Sequence, residues 1–326
     1  MYAWCSGGAV QPRAAAFFLA YNLTAFGLQP VVGYLCDARR GKASGVVGVF
    51  GCLLIAAVAL FAPAHAVSVA LVGLGNACFH AAGGADTLRR SGGRAAPGGV
   101  FVSSGALGVA LGYLAGVGGL PRALPVALLL FCAAAQCAFC LKAAARGAKG
   151  GAGFTVVRPG ISAAAVLFLA SVSIAVRSYA GSIVPMEWRT QAALFMLPAA
   201  AAFFGKACGG FAADAAGGRA VGVYCLLASV PLVVLAHANP WLCALGIALF
   251  NMNMPVTLSA VATALPRNPG LAFGVTTIAL LCGNVPLFLF AVSYPVAVFA
   301  ALTTLSAVCL SLIVGGFDRA KLHRLR

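Results

Sequence analysis

Acidic side chains are nearly absent from this sequence: five in 326 residues, against 21 lysines and arginines. All charged types together make up only 8% of the chain, where a soluble domain carries about 25%. That shortage excludes a soluble enzyme, and the 62% hydrophobic content excludes a disordered chain. A net charge of +16 has the sign expected of a nucleic-acid binder, but so few charges amid so much apolar sequence mean a membrane, and no nucleic-acid partner is expected. Catalytic signatures are missing too. No His-Glu-x-x-His, Walker loop or Gly-x-Ser-x-Gly occurs, so neither an ATP-driven pump nor a membrane hydrolase has support and the chain does not read as an enzyme. The 12 cysteines lie almost entirely in apolar runs and read as small hydrophobes. Cys137-x-x-Cys140 has no His or acid beside it, so no metal or cofactor is expected.

Long apolar runs are what the sequence does contain, with a mean hydropathy of +1.02. A crossing needs about 20 apolar residues. Cut at charged or Gly/Pro-rich breaks, the chain gives eleven spans: 14–36, 45–63, 66–86, 97–119, 122–144, 161–184, 191–213, 219–237, 240–263, 270–292 and 295–316. The runs are continuous rather than alternating, which argues for helices and against a β-barrel. The expected fold class is an all-α polytopic membrane protein. The bases test this layout, because cytoplasmic loops collect Lys and Arg. With the loop after the first span inside, sixteen of the 21 bases are inside and only Arg13, Arg122 and Arg189 are outside. Arg177 and Lys206 fall within spans. The layout predicts a multi-pass protein of the cell (inner) membrane with a cytoplasmic C-terminus.

The polar stretch 145–160 divides the chain into an N-terminal half, 1–144, with five spans and a C-terminal half, 161–326, with six. An internal repeat relates them: Gly33-Tyr-Leu-Cys-Asp37 and Gly210-Phe-Ala-Ala-Asp214 each close a span, 177 residues apart. A weaker match sets Phe79-His80 against Phe250-Asn251. The same offset places the counterpart of span 161–184 ahead of residue 8, so the first half is expected to lack most of its opening helix.

The doubled motif, continued by Arg39-Arg40-Gly41 in the first copy and by Gly217 and Arg219 in the second, resembles the loop signature of the major facilitator superfamily. The stretches 21–37 (YNLTAFGLQPVVGYLCD) and 72–84 (VGLGNACFHAAGG) are similar to its fosmidomycin-resistance-like branch. There are departures: one extra residue between Asp37 and Gly41, no base directly after Asp214, and Ala-Ala-Gly after Phe79-His80 where that branch has Pro and an acid. The resemblance implies a two-domain helical bundle around a midplane cavity, a gating role for Gly33, Asp37, Arg39, Arg40, Gly41, Gly210, Asp214, Gly217 and Arg219, and a monomer. Physical chemistry offers a reason for the motif. The glycines let two helices approach closely, and a carboxylate at a helix end suits neighbouring bases or a facing helix N-terminus.

Ionisable groups inside a bilayer are costly and face a partner or a cavity. Arg177, followed by Ser178 and Tyr179, offers a fork of donors for a carboxylate or phosphate; a structural pair with Glu187 is the alternative. Lys206 either meets a substrate or snorkels to the surface. His80 and Asn76 share one helix face. Asn251 and Asn253 precede Pro255, which permits a kink. These seven, Arg177, Tyr179, Lys206, His80, Asn76, Asn251 and Asn253, are the candidate substrate-binding residues. Gly108-x-x-x-Gly112-x-x-x-Gly116 is expected to support a tight helix contact. The sequence therefore reads as a transporter of a small organic solute, an anion or amphipathic compound, working by alternating access, with drug efflux among the roles the resemblance implies. Proton coupling through His80, Asp86 or Glu187 stays open, since no mid-span carboxylate is present. The alternative is a transport-inactive membrane binding or scaffold protein, or a fragment of a transporter.

Overall fold

The structure is a computed structural model and describes residues 12–38, 43–61, 65–146, 154, 156–289 and 296–315. Among them the chain forms thirteen α-helices and no strand beyond the single bridge Val157–Val314. The helices are α1 (Pro12–Gly27), α2 (Gln29–Ala38), α3 (Ser44–Phe61), α4 (Ala66–Arg90), α5 (Ala96–Val117), α6 (Ala123–Arg146), α7 (Ala163–Ser182), α8 (Leu197–Ala216), α9 (Leu226–Ala236), α10 (Pro240–Asn251), α11 (Met254–Ala264), α12 (Pro269–Leu289) and α13 (Val296–Ile313). Among the described residues nine stretches are long and apolar enough to cross a membrane; shorter apolar helices at Ala123–Phe139 and Ala220–Ala236 stand where the other two expected spans lie. The fold class is thus the expected one. In hydrocarbon every backbone polar group must be bonded within the chain, and a continuous apolar run meets that demand only as a helix.

Prolines account for two interruptions. Pro30 has no N–H for the carbonyl of Phe26, and the helix steps from α1 to α2 at Leu28. The Thr277 hydroxyl lies 3.4 Å from that freed oxygen and 2.8 Å from its own Gly274 carbonyl. Pro255 likewise withholds a donor from Asn251, and the 240–264 span breaks into α10 and α11 at residues 252–253, the kink expected from the sequence. Capping sets other boundaries. Ser162 accepts from the Ala165 amide ahead of α7, and Asn239 accepts from Trp241 and Leu242 ahead of α10. α4 runs four residues beyond the expected span, carrying Arg89 and Arg90 in its last turn, where cations suit the helix dipole. It stops where Gly92 and Gly93 take φ of 62° and 81°.

The chain divides into two units. The first comprises Met1–Arg90, Leu111–Gly150 and Arg267–Leu281. In it α4 packs against α1, α2 and α3, and α6 lies on α3. The second comprises Ser91–Ala110, Gly151–Pro266 and Cys282–Arg326. There α10 packs between α8 and α9, α11 lies on α7 and α8, and α13 lies on α7 and α9. The buried hydroxyls of Ser173 and Ser306 bond at 2.7 Å across α7 and α13. The stretch ahead of α7 is fixed to the end of α13, Arg158 N donating to Ile313 O at 2.9 Å and Gly315 N to Val156 O at 2.8 Å.

One expectation fails in α5. A Cβ added at Gly105, Gly108 or Gly112 meets nothing within 4 Å. The stripe is not a packing seam among the described residues: small residues permit close approach but do not bring a partner.

Candidate functional site

The repeated motif places two carboxylates on two helix starts. In the first unit, Asp37 at the end of α2 accepts from the amide of Gly270 at 3.0 Å and of Leu271 at 2.9 Å, in the first turn of α12. In the second unit, Asp214 near the end of α8 accepts from Ala95 at 2.7 Å and Ala96 at 3.0 Å, where α5 begins. Each carboxylate takes two amides that have no partner within their own helix and sits at the positive end of the dipole. The motif glycines make the approach possible. A Cβ on Gly33 would collide with the carbonyl of Gly270, and one on Gly210 would stand 2.7 Å from Ala96 Cα. Both contacts join helices from opposite sides of the 145–160 stretch.

The two copies differ in their bases. Arg89 on α4 bridges Asp86 at 2.8 Å and Asp37 at 3.2 Å, and the Asp37 side chain is only 1% exposed. Arg219, expected near Asp214, instead turns to the end of α13: its amide donates to Gly315 O at 3.0 Å and its Nη2 to Ser311 O at 3.4 Å. A cation there satisfies terminal carbonyls of α13 and suits its negative end. Gly217 terminates α8 with φ 90°, a left-handed value that favours glycine. Arg39, Arg40 and Gly41 lie outside the described residues.

The seven candidate binding residues are divided between the two units. Asn76 and His80 lie on α4 of the first unit, with the His80 ring edge-on to Phe79 at 5.4 Å. The other five belong to the second. Arg177 on α7 is buried and does not pair with Glu187; its two Nη atoms reach Met254 Sδ, each at 3.8 Å. Tyr179, two residues further on, leaves α7 on a different face. Asn251 donates to Ile247 O at 2.9 Å, one turn back in its own helix. Asn253, in the break between α10 and α11, is fully buried. Lys206 sits at mid-length of α8, where Gly205 and Gly209 press that helix onto the carbonyls of Ala248 and Met252.

Sequence reasoning missed Arg89 and Asp86 as partners of the motif, and Met254 beside Arg177. Asp86-x-x-Arg89 is one helical turn apart, a signal that reveals the pair but not its third member 52 residues upstream. The receiving amides at Ala95, Ala96, Gly270 and Leu271 carry no side-chain signature at all.

Neither a protein-family model nor the sequence of a curated protein matches the chain. Solved structures do, and they define its class: the fold is that of the major facilitator superfamily transporters. FucP in the outward conformation superposes with a TM-score of 0.62 over 96% of this chain and 90% of that one, at 12% identity. The human organic anion transporter MFSD10 (TETRAN) gives 0.63 over 92% and 83%, at 18% identity. A variant of the E. coli fucose:proton symporter FucP gives 0.59 over 92% and 88%, at 15% identity. At such identities the likeness is one of fold.

Proposed function

We propose that this protein is a secondary transporter that moves a small organic solute across the cell membrane as a monomer, by alternating access between halves 1–144 and 161–326 joined by the 145–160 linker. The observation that carries the reading is the pair of carboxylate-capped helix starts, Asp37 on α12 and Asp214 on α5. A carboxylate on backbone amides is a strong, directional contact that breaks as a unit, which suits a latch closed in one state and open in another. Gly33, Gly210 and Gly217 shape these latches; Arg39, Arg40, Gly41 and Arg219 belong to the same gating loops. The basic loops put the latches on the cytoplasmic side, with the C-terminus. Similarity in 21–37 and 72–84 favours the fosmidomycin-resistance-like branch and, with it, efflux. The solved fold partners, one named an organic anion transporter and another a fucose:proton symporter, support an organic solute, with an anion or amphipathic compound favoured here by the cations within the spans. Binding by Arg177, Tyr179, Lys206, Asn251 and Asn253, with Asn76 and His80 from the first unit, completes the proposal.

The test is uptake into vesicles containing the purified protein, against protein-free vesicles, of labelled fucose, benzoate, succinate and phosphate. Protein-dependent, saturable uptake of at least one is expected. No such uptake of any of the four overturns the reading.

A further inference from the structure

Two polar side chains in the second unit are buried with their bonding capacity unfilled, beside a second cation. Arg177 is 4% exposed, and Asn253 is 0% exposed. The Arg177 Nη atoms find only a thioether, a weak acceptor, and its Nε has no partner among the described residues. Both amide atoms of Asn253 are equally unpartnered. Lys206 adds a second positive charge on α8, between Gly205 and Gly209, which meet the carbonyls of Ala248 and Met252 just ahead of Asn253. The described acids of this unit do not answer them. Asp214 is engaged with Ala95 and Ala96; Glu187 lies exposed in the turn Glu187–Thr190; Asp318 is outside the described residues. An ionised group taken out of water without a counter-charge is strongly unfavourable, and so is an unmet buried amide. Two unmet groups, on α7 and at the α10–α11 break, and a further cation on α8 thus share one missing partner: an oxyanion.

We infer that Arg177, Lys206 and Asn253 hold the head group of the cargo, that this head group is a carboxylate or phosphate bringing up to two negative charges, and that the protein therefore exchanges one anion for another. The inference rests on the transport reading above. Arg177 supplies a planar fork matched to two oxygens, Lys206 supplies a point charge, and Asn253 Nδ2 donates to an oxygen. Charge bookkeeping then fixes the cycle. A site loaded with a doubly charged head group is neutral, one loaded with a carboxylate keeps a single positive charge, and either passes between the two states more readily than an empty one. An empty one would carry two unneutralised cations through the closed intermediate, where water is excluded and the penalty is greatest. Return is fast only when another anion occupies the site.

Vesicles containing the full chain test this with labelled phosphate and labelled succinate as probes, each measured with the same unlabelled anion inside or with buffer alone inside. Uptake at least tenfold faster into anion-loaded vesicles is expected for one of the probes. Arg177→Ala should abolish it. Arg177→Lys, which keeps the charge and loses the fork, should weaken apparent affinity while preserving the ratio between loaded and empty vesicles. Equal uptake into loaded and empty vesicles overturns exchange and leaves transport standing. Uptake of fucose alone, without either anion, overturns the anion site and also leaves transport standing. No uptake of any solute overturns both.

Discussion

The carboxylate of Asp37 lies 3.0 Å from the amide of Gly270, a residue 233 positions away in the chain. Its second oxygen takes the next amide, at Leu271, and Arg89 holds it from the side. Asp214 repeats the double contact at Ala95 and Ala96 without a corresponding arginine among the described residues, Arg219 being turned to the end of α13. The repeated motif thus builds two contacts of one kind and unequal strength.

The inequality is measurable. Asp37→Asn and Asp214→Asn each remove a charge from a helix start, and hydrogen bonds to charged groups contribute about 1.5–3 kcal/mol. Asp37→Asn also leaves Arg89 with Asp86 alone. Thermal unfolding of the purified variants in detergent should place Asp37→Asn below Asp214→Asn, and Arg89→Ala should lower the parent but have little further effect on Asp37→Asn. Equal losses from Arg89→Ala in both backgrounds would show that Arg89 does not brace Asp37.

Glycines in the two settings should respond in opposite directions. Gly33→Ala drives a methyl into the Gly270 backbone, where neither side has a flexible atom to give, so lowered stability and lost transport are expected. Gly108→Ala meets open space and gains helix propensity of about 0.5–1 kcal/mol. Its melting temperature should hold or rise. A fall at Gly108 comparable to that at Gly33 would mean that the α5 stripe is packed after all.

The Ser173–Ser306 bond is buried on both sides; Ser306→Ala leaves the Ser173 hydroxyl unmet, whereas Ser173→Ala leaves Ser306 its longer bond to the Ser173 carbonyl at 3.3 Å. Ser173→Ala and Ser306→Ala should therefore destabilise sub-additively, with a coupling of about 0.6–1.7 kcal/mol, the range of interhelical polar contacts in membranes. A double-mutant cycle of unfolding free energies reads it directly. Strict additivity would refute the interaction.

Much of this was legible without coordinates. The scarcity of acids and the eleven apolar runs determined a helical membrane protein, because in hydrocarbon a backbone must bond to itself and a helix is the local way to do so. The doubled Gly-x-x-x-Asp marked the two carboxylates that meet helix starts, and Pro255 marked the break beside Asn253. Partner choice was not legible. Between helices in lipid there is no hydrophobic drive, and association depends on shape and on a few polar bonds, so nothing in the sequence pointed to Arg89 as a residue that holds Asp37. For the same reason the glycines of α5 looked like a packing seam, while Gly33 and Gly210 are the ones that meet another backbone. Arg177 was visible as a charge in a span; only its position against Met254, away from Glu187, left it without a counter-ion among the described residues. Local bonding demands are written residue by residue and the sequence settled those, whereas the choice among many equally apolar helix faces belongs to the tertiary structure, because it turns on which backbones come within reach of which side chains.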